Sequence, residues 1–268
     1  MDPSLLPLYL GLGLVSGFIA GLLGVGGGLI MVPVLSWAFL QQGYAPEYNI
    51  HLALATSLAV IVPTALSSLR AHHAHGAVDW AVVRSLTPGI VGGTLAGALA
   101  AAWLPDFGLK SFFTLFLFAA ATQMLFGLRP RPTRGLPNRA GMTAAGTIIG
   151  LVSSWVGIGG GTLTVPFLVW CNVGVRQAIG TSAAVGLPIA VAGSVGYVVS
   201  GHLVAGLPPW TLGFIHLPAL AGIAIGAWIS APFGARAAHR WPVPVLKRIF
   251  AGLLYVLGVR MAYGLFTG

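Results

Sequence analysis

Gly17-Phe18-Ile19-Ala20-Gly21-Leu22-Leu23-Gly24-Val25-Gly26-Gly27-Gly28, with Pro33 beyond it, decides the architecture because it occurs twice. Its copy is Gly150-Leu151-Val152-Ser153-Ser154-Trp155-Val156-Gly157-Ile158-Gly159-Gly160-Gly161, with Pro166 at the same spacing. Two further matches follow in the same order. Thr56-Ser57 precedes Pro63 as Thr181-Ser182 precedes Pro188, and Leu109-Lys110 opens the last apolar block of one half as Leu246-Lys247 does in the other. The chain therefore divides into a repeat over 1–128, a linker over 129–139 and a second repeat over 140–268. The linker reads Arg-Pro-Arg-Pro-Thr-Arg-Gly-Leu-Pro-Asn-Arg.

The rest of the sequence is apolar enough to live in lipid. Of 268 residues, 57% are hydrophobic and 6% charged, against about a quarter charged in a soluble domain. Mean hydropathy is +0.92. Eight apolar blocks follow one another, and their runs are continuous rather than alternating, so they predict membrane helices and not barrel strands. The blocks 5–42 and 140–172 are too long for one span, and the glycine clusters divide each into two half-helices. Asp2 follows Met1, so no basic leader precedes the first block, which reads as a retained helix. The lone Cys171 can form no internal disulfide.

The net charge of +9 does not signal nucleic acid, because the cations lie in short loops between apolar blocks. If each broken block crosses once, Lys and Arg divide 7 against 6 between the two sides. If each goes in and returns, as a re-entrant hairpin or as two full spans, the division is 11 against 2, with only Lys110 and Arg260 on the poor side. The second arrangement obeys the positive-inside rule. Each half then has five membrane segments, and the odd number inverts the second half relative to the first. The expected fold is an all-α polytopic protein of two inverted five-segment repeats, with the linker cytoplasmic and both termini outside. Interrupted segments at matching places in two repeats are the pattern of secondary transporters.

The glycine clusters are the first candidates for chemistry. Three successive glycines let the backbone turn sharply and bring its N–H groups close to a ligand. Helices starting near Leu29 and Thr162 offer unpaired N–H donors and the positive dipole end, which suit an anion. Gly26, Gly27, Gly28, Gly159, Gly160, Gly161 and Thr162 are thus candidate substrate contacts, and inverted halves would bring the two tips together as a paired cradle. Tight helix packing is the plainer role for such glycines. Thr56, Ser57, Thr181 and Ser182 supply hydroxyl donors without a fixed charge, although such groups also repair helix breaks before proline. The His72, His73 and His75 cluster is a solvated loop rather than a metal site. His216 is a relay candidate or a hydrogen-bonded structural group, Arg260 snorkels to a helix end, and Trp155 lines the path or packs. The acids Asp2, Glu47, Asp79 and Asp106 all fall in loops or at ends, which speaks against a cation exchanger and against an enzyme.

With these motifs the chain resembles the TauE/SafE family of sulfite exporters and related sulfur-compound permeases, over almost its whole length. The resemblance rests on both glycine motifs, both Thr-Ser pairs and both Leu-Lys pairs. It implies a multi-pass protein of the bacterial inner membrane, in contact with lipid, that carries sulfite, sulfonates or similar small anions without a cofactor or metal. Thr162 and Thr164 stand where the first half has Leu29 and Met31, so only the glycines and Thr-Ser pairs carry over. Substrate, direction, coupling ion and any homo-oligomeric assembly stay open at this stage. The rivals are a metal or cation carrier using the histidine loop and a non-transporting membrane scaffold.

Overall fold

A computed structural model describes residues 6–23, 27–127, 133–238 and 243–267. Gly26, much of the linker and the loop 239–242 lie outside the described residues. The chain is helical almost throughout. The first half comprises α1 (Leu6–Leu23), α2 (Gly28–Gln41), a short 3₁₀ turn at Pro46–Tyr48, α3 (Asn49–Ala74), α4 (Trp80–Ala101) and α5 (Asp106–Phe126). The second comprises α6 (Arg139–Val156), α7 (Gly161–Trp170), α8 (Val175–His202), α9 (Leu217–Ala238) and α10 (Val243–Thr267). Among the described residues six helices, α3, α4, α5, α8, α9 and α10, are long and apolar enough to cross a membrane. Their outer faces are apolar too, with Leu99, Leu115, Val195, Ile225 and Val256 exposed, as helices surrounded by lipid require.

Both long blocks break where the glycines stand. α2 starts at Gly28 and α7 at Gly161. Gly27 takes φ +71°, a left-handed conformation open to glycine, while Gly160 is right-handed at φ −55°. The 10 residues of α7 span about 15 Å, half of the roughly 30 Å hydrocarbon core. The block expected over 210–231 starts later than its hydropathy suggests. Thr211–Leu212 and Ile215–His216 pair as a two-stranded antiparallel hairpin turned by Gly213 at φ +55°. α9 begins only at Leu217, so His216 sits at a helix start and not within a span.

The halves interlock through glycine seams that repeat residue for residue. α1 lies along α9 and α6 along α4. A Cβ on Gly13 would overlap the Ile223 carbonyl, and one on Gly146 would come 2.5 Å from the Leu86 carbonyl. Gly17 meets the Ala227 carbonyl as Gly150 meets that of Ile90. Small residues four apart let backbones touch, and dispersion then holds the helices where lipid supplies no hydrophobic force. At the centre α3 packs on α8, and α5 on α10.

Side-chain contacts define two ends. At one, Arg176 donates to the His75 carbonyl at 3.2 Å, Gln177 to Asp79 at 3.2 Å, and the Thr133 N–H to the Trp170 carbonyl at 3.3 Å. At the other, the Ile50 N–H donates to Asp106 at 2.9 Å, Gln42 to the Tyr9 hydroxyl at 2.8 Å, and Tyr44 meets His216 at 3.2 Å. Arg70, Arg84, Arg134, Arg139 and Arg176 belong to helix ends and loops of the first end. Lys110 lies at the second, paired with Asp106 at 2.6 Å.

Candidate functional site

A cavity of about 420 Å³ opens among the ends of α1, α3, α8 and α9 and the tip of α7. Its inner wall is Gly159, Gly160, Gly161 and Ser182, and its outer reach passes Thr64, Ser67 and Ser68 to His72. Alanines, Ile61 and prolines make up most of the remainder, with Trp228 at the exposed rim. Among the described residues no carboxylate, Lys or Arg lines it. The Ser182 hydroxyl is buried there at 2% exposure and has no hydrogen-bond partner among the described residues. The cavity therefore ends on the start of α7, a helix N-terminus whose first-turn N–H groups lack helical partners, and on the residue Ser182.

The two Thr-Ser pairs split in role. Thr56 accepts the His216 N–H at 3.0 Å, and Thr181 accepts the Asp79 N–H at 3.0 Å. His216 and Asp79 are matching residues, because each stands just before its helix and caps it. Asp79 accepts from the Ala81 and Val82 N–H groups, and His216 Nδ1 from that of Ala219 at 3.3 Å. Both threonines thus pin a helix start to a central helix. The serines differ from each other. Ser57 donates to the Gly157 carbonyl at 2.8 Å, while the Ser182 hydroxyl, on a residue of the cavity wall, is buried with no partner among the described residues.

The glycine tips meet directly. A Cβ on Gly28 would overlap the Gly157 carbonyl oxygen and stand 3.2 Å from Ile158 Cα. Gly28 is buried in this contact, Gly27 is buried against Ser16 and Met31 of its own half, and among the described residues of the two tips only those of the second border the cavity. The Thr162 hydroxyl is buried beside that tip without a partner among the described residues, as is that of Thr164. A Cβ on Gly160 would lie 3.1 Å from the Ser182 carbonyl oxygen and 3.2 Å from Thr164 Oγ1.

The remaining candidates have structural partners. His75 bonds the Ala71 carbonyl at 2.7 Å, and His73 accepts from Trp80 Nε1 at 3.3 Å. Trp155 packs, donating to the Gly97 carbonyl at 2.9 Å and meeting Phe112 edge-on. Arg260 lies 4.7 Å over the Trp37 ring. Residue reading missed Thr64, Ser67 and Ser68 as lining. Their signal was a hydroxyl row on the face of α3 after Pro63.

An all-helical, multi-pass fold with a pocket between two interlocked halves defines a membrane transporter. The chain belongs to the sulfite exporter TauE/SafE family, whose family model matches residues 9–261. It is 34% identical to a "Probable membrane transporter protein" of Haemophilus influenzae, over 95% of this chain and 97% of that one. "Probable membrane transporter protein YunE" of Bacillus subtilis is 24% identical, over 96% and 97%. A "Probable membrane transporter protein" of Xylella fastidiosa is 27% identical, over 92% and 90%. No solved structure matches the chain at a significant level.

Proposed function

We propose that this protein is a secondary transporter of small sulfur-containing anions, such as sulfite or a sulfonate, across the bacterial inner membrane by alternating access. The observation that carries the reading is the cavity that ends on the α7 tip and Ser182, with no charged side chain at its wall among the described residues. Backbone N–H groups and hydroxyls stabilise an anion without a fixed countercharge that would hold it too tightly to release. Stripping water from a dianion costs far more than from a monoanion, so sulfite enters as its monoanion and brings its own proton. The family membership supports a sulfur oxyanion over other small anions.

Two halves of opposite orientation support the mechanism. The matching helices α3 and α8 run antiparallel, since Ala77 beyond the end of α3 meets Gly180 near the start of α8, and Leu58 meets Gly193 further along. The cavity reaches the Arg-rich end, which the positive-inside rule makes cytoplasmic. This conformation is then the cytoplasm-facing state, and rocking of the halves exposes the site to the other side.

Thermal unfolding in detergent tests the site. Wild type gains stability in sulfite, by about 2.7 kcal/mol when the anion stands at about 100 times Kd. Ser182→Ala keeps its fold and loses part of that gain, whereas Gly160→Ala, which places a methyl group at the tip, loses most of it. Equal ligand protection in wild type and both variants contradicts the site.

A further inference from the structure

The cavity has a second copy that is shut. Gly17 with Gly150, Thr56 with Thr181 and Asp79 with His216 set the register between the halves. Carried across it, Ser182 answers to Ser57, Ala183 to Leu58, His72 to Tyr197, Ala20 to Ser153 and Ala231 to Thr94. Where the first set surrounds open space, the second is filled. Leu58, wholly buried, would lie 2.8 Å from a Cβ on Gly193. Tyr197, also wholly buried, donates its hydroxyl to the Ser154 carbonyl at 3.0 Å. Yet the Thr94 and Ser153 hydroxyls in this filled region are fully buried and have no hydrogen-bond partner among the described residues. Orphaned hydroxyls in a dry interior cost stability, and apolar packing between helices would be served better by alanine and valine.

We infer that the region between α4, α6 and α8 is the closed second mouth of the anion path, with Tyr197 as its gate and Thr94 and Ser153 as its polar lining. The inference rests on the transport reading above. In the opposite state the Tyr197–Ser154 bond breaks, Leu58 withdraws from Gly193, and the two hydroxyls meet water and the passing anion. Tyr197 and His72 occupy matching places, one plugging its mouth and the other standing at the rim of the open one.

Thiol labelling in proteoliposomes, on a Cys171→Ala background, separates this idea from the reading beneath it. The probe is a membrane-impermeant methanethiosulfonate. The anion is isethionate, because sulfite itself attacks such reagents. Ser182→Cys should react from the Arg-rich face and be protected by isethionate. Thr94→Cys and Ser153→Cys, two independent reporters should one fail to fold, should react from the opposite face. Adding Tyr197→Phe, which removes one hydrogen bond, should raise their rate about fivefold and slow Ser182→Cys. If Ser182→Cys is protected but neither reporter reacts from the opposite face even with Tyr197→Phe, the second mouth is wrong and the cavity reading stands. If Ser182→Cys reacts without protection, the transport site fails and the mouth falls with it.

Discussion

Ser57 and Ser182 hold equivalent places, yet one is bonded to the Gly157 carbonyl and the other, at a cavity wall, has no partner among the described residues. That difference shows what a repeated sequence cannot, namely which copy faces the open side. Sequence singled out both pairs as candidate anion contacts but could not divide them between hydrogen-bonded and unpartnered hydroxyls. Thr56 and Thr181 bond the backbone of residues 160 and 102 positions away, partners that no local pattern reveals. Thr181→Val should leave the Asp79 N–H unpaired and lower stability by about 1–3 kcal/mol, while the relative gain from sulfite persists. Thermal unfolding with and without the anion checks this, and a lost gain would move Thr181 into the site. His216→Gln should likewise weaken the cap of α9 by about 1 kcal/mol and leave proton-linked flux intact, measured with a pH dye in vesicles. Loss of that flux in a folded variant would make His216 a relay.

At the scale of elements, hydropathy located the helices well because burial in lipid needs long apolar runs. It failed at 211–216, where Phe214 and Ile215 are apolar but belong to a hairpin that Gly213 turns. The glycine breaks were legible because they came in pairs. The seams were less so: Gly13, Gly17, Gly222 and Gly226, like Gly89, Gly93, Gly146 and Gly150, recur every four residues, but their partners lie in the other half. Gly93→Val would drive a side chain into the Thr147 backbone. It should cost about 1–3 kcal/mol or more, read as a lower melting temperature. Gly92→Val, whose Cβ meets nothing within 4 Å, should be neutral by the same measurement. Equal effects would mean that α4 does not pack on α6 through this seam.

For the whole molecule, α3 and α8 run antiparallel beside a pocket that reaches toward the Arg-rich end. The contacts of Arg176, Gln177 and Thr133 bring the ends of α3 and α7, the starts of α4 and α8 and part of the linker to one end of the molecule. A cysteine replacing Thr133 on a Cys171→Ala background should react with impermeant reagents only in inside-out vesicles. Labelling in right-side-out vesicles would reverse the orientation. The central claim, that a sulfur anion crosses through the pocket at the α7 tip, is tested most directly by counterflow of radiolabelled sulfite into proteoliposomes preloaded with unlabelled sulfite. Wild type should show transient accumulation, and Gly160→Ala, folded by its elution profile, should show little. Counterflow undiminished in Gly160→Ala, or absent from folded wild type, would contradict the account.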